Sequence, residues 1–351
     1  MSSQSFEELV NEWVEGTQRQ IDNKEEVMEG YFHLGYDKEK QAPTPEALKK
    51  LPFVSAMIAD FDTIGKFAYS IGDDNPLYHN PSYARKSRYG AIIAPPTLMP
   101  ARQSHGYGAA GYAPGARPYP LNNMAAGNCQ EWYDAIYLGD RFRTNCLPKE
   151  LIHKKGRAAK RGIYFLITES HIWNFAGDLI GKSYGTKIEV PNPARMDPDR
   201  MGEEMMYERG TYKYSQDEIE NLVAKLEAEE RRGAEPRYWE DVEVGDPIPP
   251  VVKGPFTIGD MIGSRMRSGL GHNAWSFELL YYDMHELISE RRTHPITKWP
   301  WGPEAEHEDV LLCRYRGLPG PFDYGQQRAQ WPPHLLMNWA GDDGFIRKQY
   351  S

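Results

Sequence analysis

Cysteine is scarce: Cys129, Cys146 and Cys313 are the three in 351 residues, and no two of them form a Cys-x-x-Cys pair. An odd count at wide spacing argues against both a disulfide framework and a zinc cluster, so a reducing compartment and no metal are expected. Long apolar runs are missing too. No stretch of about 18 apolar residues is present, which argues against a membrane-spanning helix. The start, MSSQSFEELVNEWVEGTQRQ, mixes acids with apolar residues and lacks the basic end and apolar run of a secretory signal. Nor is there an excess of positive charge. Lys and Arg number 41 against 50 Asp and Glu, a formal charge of −9, which argues against nucleic acid or an anionic membrane as the main partner. The expectation is a soluble, cytoplasmic protein.

What the chain does have is enough apolar content, 40% of its residues, for two domains with cores of their own. Phe6, Leu9, Val10, Trp13 and Val14 recur at helical spacing over residues 5–20. A second helix is expected from Ser215, where Ser215-x-x-Glu218 reads as a capping box, running to a stop at Gly233. With PNPARMDPDRMGEE before it, this helix reads as a linker between two halves. FDTIGKFAYSIG and PFTIGDMIGSRM share a Thr-Ile-Gly core, Thr63 matching Thr257, which hints at duplication. EWYDAIYLGDRFRTNCL and RGIYFLITESHIWNFAGDLIGKSYGTKIEV are β-branched and aromatic runs bounded by turn residues, the mark of antiparallel strands. Their order predicts an α+β fold in which a helix lies across a curled sheet. The divisions read are a helical extension over 1–50, a first unit over 51–190, a linker with a helix over 191–236 and a second unit over 237–351.

GDDNPLYHN, residues 72–80, gathers two acids, two amides, a proline and a histidine, and asks whether Asp73 and His79 form an acid/base couple. Followed by PSYARKSRYGAIIAPPT, it resembles the hydratase signature of MaoC-like enoyl-CoA hydratases and dehydratases. The resemblance runs from about residue 50 to the end and is narrower for fused acyl dehydratases of two repeats, YWEDVEVGDPIP opening the second. It implies a double hotdog fold, in which a long helix is wrapped by a curled antiparallel sheet and the arrangement is repeated. It also implies hydration or dehydration of a 2-enoyl-CoA thioester, with coenzyme A as part of the substrate and no cofactor. Such chemistry needs a base for water, an acid for the α-carbon and donors for the enolate oxygen. By the resemblance Asp73 and a histidine supply the first two. Asn75 would hold the carboxylate, and backbone N–H groups near Pro96 and Thr97 would polarise the thioester carbonyl.

The chain departs from the signature in each half. The family histidine, five residues after the aspartate, falls on Tyr78, and His79 lies one further on, where an extended strand points a side chain to the opposite face. Either a bulge re-aims His79 or Tyr78 enters the site. In the second half EHEDVLLCRYRGLPGPFDYG keeps His-x-Asp as His307 and Asp309, but the place of the acid is Gly302. Glu304, Glu306 or another chain would then supply an acid to His307; in the other reading only the first half works. Lys154, Lys155 and Arg157 belong to a basic stretch, HKKGRAAKRG, which either meets coenzyme A phosphates or forms a solvated hairpin. SHGYGAAGYAPGARPYP shapes an acyl pocket or is an insertion.

After Gly325 the second repeat has room for a helix bearing Leu335, Leu336, Met337 and Trp339 but not for the strands to cover it. The expectation is a complex with a small second subunit that completes the C-terminal repeat, self-pairing being the alternative. Two functions stand at this point. One is the subunit of an enoyl-CoA hydratase or dehydratase; the other is an inactive acyl-CoA-binding subunit that supports an active partner.

Overall fold

The computed structural model describes residues 5–31, 35–40, 42–50, 56–98, 121–155, 162–191, 212–267, 307–315 and 319–351. Helix α1 (Phe6–Asp22) opens on a reciprocal capping box between Ser5 and Glu8, and α2 (Lys24–Tyr31) follows. Short strands β1 (Tyr36–Asp37) and β2 (Ala42–Pro43) pair with each other, and α3 (Pro45–Lys50) leads toward β3 (Ala56–Ile58). Next come α4 (Phe61–Ser70) and the short α5 (Pro81–Ala84), then four long strands. These are β4 (Leu121–Trp132), β5 (Arg141–Lys154), β6 (Ile163–Asn174) and β7 (Leu179–Pro191). The second half contributes α6 (Gln216–Glu227), α7 (Ile258–Arg267), α8 (Val310–Tyr315), α9 (Gly325–Ala340) and β8 (Lys348–Tyr350).

The main sheet is antiparallel throughout its pairs and has the order β3-β5-β6-β7-β4-β8, open at both ends. Asn174 makes the β6–β7 turn: its Oδ1 accepts from the N–H groups of Ala176 and Asp178 at 3.0 and 2.9 Å. Strand alternation then sorts the side chains of β6. Ile172 joins Ile64, Phe67 and Ala68 of α4, together with Phe142, Trp132 and Ile180, in the largest core cluster. Further along the same face, Tyr164 and Leu166 meet Val10 and Trp13 of α1. On the other face Trp173 packs with Met28 of α2, and Lys24 lies 3.8 Å from the Glu169 carboxylate. This is the expected α+β arrangement, with α4 laid across the sheet.

The two halves meet without a gap in the sheet. β8 pairs with β4, Gln130 opposite Gln349, and α7 packs against α4. The helix caps revise the repeat alignment. Asp60 caps α4 through Thr63 N–H at 2.7 Å, whereas Thr257 itself caps α7 and accepts from Asp260 N–H at 3.2 Å. Thr63 therefore lies inside its helix and Thr257 at the entrance, so the shared Thr-Ile-Gly does not occupy equivalent positions. α6 begins at Ser215 as its capping box predicts, but it stops at Glu227 rather than at Gly233.

Candidate active site

Asp73 follows α4 at a sharp bend. Gly72 takes a φ of +67°, and a Cβ there would come within 3.1 Å of Lys253 Nζ, so glycine serves both backbone and space. The Asp73 N–H donates to Ala68 O at 2.9 Å, which turns the carboxyl inward to 2% exposure. Asn75 then does three things. Its N–H donates to Asp73 Oδ1 at 3.0 Å, its Oδ1 accepts from Leu77 N–H at 2.9 Å, and its Nδ2 donates to Asp342 Oδ1 at 2.9 Å. Pro76 starts a single 3-10 turn, Pro76–Tyr78, and Asn80 caps α5 through the N–H groups of Ser82 and Tyr83. Asp342, just past α9, also accepts from Tyr83 Oη at 2.5 Å and donates its N–H to Gly233 O at 2.8 Å.

The groups facing Asp73 come from the second half. His334, in the middle of α9, is buried and places Nε2 3.7 Å from Asp73 Oδ1 and 3.3 Å from Glu229 Oε1. The first separation is too long for a direct hydrogen bond. His334 Nδ1 is 2.7 Å from Lys253 Nζ, which also donates to Ile71 O at 2.6 Å. Asn338, one turn on, donates to Glu229 Oε1 at 3.0 Å, and its Nδ2 lies 3.2 Å from His334 Nε2. The segment after α6 leaves the helix to make these contacts. Glu229 reaches His334, Arg231 pairs with Asp74 at 2.9 Å, and Arg232 N–H donates to Asn338 O at 2.9 Å. The stretch read as linker thus forms one wall of the site.

Burial governs the protonation of the cluster. Loss of solvent pushes the Asp73 carboxyl up to about 7, against the pull of the Asn75 N–H and of the Arg231 and Lys253 charges. The same loss of solvent, with the charges of Lys253 and Arg231, pushes His334 down to about 3 and keeps it neutral. Lys253 is also lowered by burial, Glu229 and Asp73 opposing the shift. A carboxyl that titrates near neutrality beside an uncharged imidazole can both take and return a proton.

The residues expected from the sequence fall in different places. Asp73 and Asn75 lie at the centre of the cluster. His79 turns away from Asp73, makes no ion pair with it, and stacks on Tyr69 at a centroid distance of 6.3 Å. Tyr78 points inward instead: it is fully buried, its hydroxyl has no hydrogen-bond partner among the described residues, and burial pushes its phenol well above the usual range. Pro96 is half-buried and Thr97 buried, its hydroxyl without a hydrogen-bond partner among the described residues. His307 stacks on Tyr324 at 4.0 Å, with Nδ1 2.7 Å from Phe322 O, and makes no pair with Asp73. Asp309 caps α8, accepting from Leu311 N–H at 2.8 Å. Lys154 and Lys155 are exposed at the end of β5 opposite its pairing with β3. Arg157, Gly302, Glu304, Glu306 and the loop over 104–120 lie outside the described residues.

The sequence reading missed His334, Lys253, Glu229 and Arg231. One signal was present in HLLMNWAGDDGFI: a histidine and an asparagine four residues apart in an otherwise apolar stretch share one helix face. Their partners Lys253 and Glu229, 81 and 109 residues away, leave no local trace.

Comparison with known proteins bears on this geometry. Residues 56–182 match the family model described as FAS1-like, dehydratase domain region. No curated protein matches the chain. Among solved structures, one described as a MaoC-like dehydratase is similar at 15% identity and a TM-score of 0.53, over 84% of this chain and 78% of that one. The full-length peroxisomal multifunctional enzyme type 2 from Drosophila melanogaster is similar at 10% identity and a TM-score of 0.41, over 80% of this chain and 36% of that one. Residues 56–182 are therefore similar to a dehydratase domain region, and the chain shares the hotdog fold of the MaoC-like dehydratase.

Proposed function

We propose that the chain is a subunit of a hydro-lyase that adds water to, or removes it from, a 2-enoyl or 3-hydroxyacyl thioester such as that of coenzyme A. The observation that carries this reading is the Asp73 carboxyl, buried at the end of α4 inside the dehydratase-matching region, pushed up to about 7 and set 3.7 Å from a neutral His334. In the hydration direction Asp73 takes a proton from water as the oxygen adds to the β-carbon, and a proton returns to the α-carbon. The imidazole beside it orients the water. The hydroxyls of Tyr78 and Thr97, buried and without partners among the described residues, are donors for the thioester oxygen as negative charge develops there. The thioester itself activates the α-carbon, so the reaction requires no further cofactor, and coenzyme A enters as part of the substrate.

The proposal includes a second polypeptide. β8 borders β4 on one side and ends the sheet on the other, and its neighbour α9 keeps Leu335, Leu336 and Trp339 half-exposed among the described residues. A strand-bearing chain added at β8 would continue the sheet and cover that face. Mass measurement of the complex purified from its host checks this, and a stable lone chain contradicts it.

The test of the chemistry is turnover of a series of 2-enoyl-CoA thioesters by the purified complex. Asp73→Asn is expected to lower the rate by about 10²–10⁴-fold. Undiminished turnover would mean that the reaction is carried by a partner and that this chain only binds or supports.

A further inference from the structure

We propose that Lys253 is a positioning residue: its ammonium donates to His334 Nδ1 and so fixes the ring as the tautomer whose proton sits on Nε2, facing Asp73 and Glu229. This rests on the proposed hydro-lyase reading for its purpose, but the geometry behind it is independent of substrate. An ammonium has donors and no acceptor, so the 2.7 Å contact leaves His334 Nδ1 as the acceptor. The lysine is held for that task. A second N–H is spent on Ile71 O at 2.6 Å, and Gly72 clears the space around Nζ, where a Cβ would come within 3.1 Å. On the opposite side of the ring, Nε2 meets Glu229 Oε1 at 3.3 Å and Asp73 Oδ1 at 3.7 Å, two acceptors suited to an N–H, while Asn338 Nδ2, 3.2 Å from the same nitrogen, directs a hydrogen to Glu229 Oε1.

The charged groups facing His334 are therefore Lys253 from the loop before α7, Asp73 from the loop after α4, and Glu229 and Arg231 from the segment after α6. The two cations disfavour an imidazolium and favour an ionised Asp73, so they act in the same direction on both members of the pair. Under this arrangement the imidazole serves as a fixed neutral donor, and the proton that moves belongs to Asp73. Lys253 keeps the two roles apart.

The test reads ring nitrogens, and so stands apart from turnover. In protein labelled with ¹⁵N at histidine, the His334 signals are assigned by their loss in His334→Gln. The wild type is expected to show the Nε2-protonated neutral tautomer through the neutral range. In Lys253→Met the ring should titrate at higher pH and populate the Nδ1-protonated form, and the Asp73 limb of the pH–rate profile should move up as well. Lys253→Gln, which keeps a donor and removes the charge, should raise the titration while retaining the tautomer, and it serves as the reporter if the methionine variant does not fold. A folded variant of either kind whose His334 tautomer and titration match the wild type would overturn the proposal. If the nitrogens respond as expected but no thioester is turned over, the positioning role stands and the hydro-lyase reading fails.

Discussion

Asp73 sits where ionisation is disfavoured, and that carries a consequence for stability. Its folded carboxyl holds a proton up to about 7, against 3.8 in an ordinary setting, so the folded state binds the proton more tightly than the unfolded chain. Folding is therefore favoured below the ordinary value, and this advantage is lost as pH rises through about 7. Asp73→Asn removes the titration and keeps an oxygen for the Asn75 N–H. The variant is expected to gain several kcal/mol over the wild type at pH values above about 7 and to lose that gain at pH values near 4, measured by denaturant unfolding across pH. A site whose chemistry is relieved by a stabilising substitution is the usual sign of function held against stability. Asn75 carries the opposite expectation. Asn75→Ala deletes the cap on Leu77 and leaves the buried Asp342 oxygen without its donor, so it should cost roughly 1–3 kcal/mol in the same measurement.

Elements are joined here by what their termini and interruptions leave free. Pro333 lacks the N–H that would bond to Ala329 O inside α9, and Gln349 Nε2 of β8 takes that carbonyl instead at 2.6 Å, fixing the edge strand to the helix. At the other end of α9, Gly341 has a φ of +83°, and a Cβ there would lie 2.8 Å from Glu235 O. Gly341→Ala should therefore push the 229–237 segment off α9, lower stability by about 1–2 kcal/mol and release Glu229 from His334, detectable by unfolding and by the His334 ring signal. How far such features are legible depends on their range. The capping box of α6 is spelled out within a few residues, and the structure has it where Ser215 predicts. The end of α6 is not local. Its helical pattern continues to Gly233, and contacts with His334, Asn338 and Asp74 pull residues 229–232 out of it.

At the scale of the molecule, each half holds part of one site: the first supplies Asp73, Asn75 and Tyr78, the second His334, Lys253, Asn338 and Asp342. GDDNP was legible as chemistry because turn residues and a carboxylate cluster in sequence. The histidine was not, because the register of the motif points to Tyr78, while the imidazole beside Asp73 belongs to an apolar helix near the other end of the chain. The helical extension is structural by this account. Trp13 of α1 meets Tyr164 of β6 edge-on at 5.6 Å, and Trp13→Ala should cost about 3–5 kcal/mol while leaving the pH–rate profile in place. The most direct test of a site shared by two halves compares three histidine variants, His79→Ala, His307→Ala and His334→Ala, in the purified complex with a 2-enoyl-CoA substrate. The account predicts that His334→Ala loses about 10²–10⁴-fold in rate while the other two stay within a few-fold of wild type. Full activity of His334→Ala, with loss in His79→Ala or His307→Ala, would contradict it.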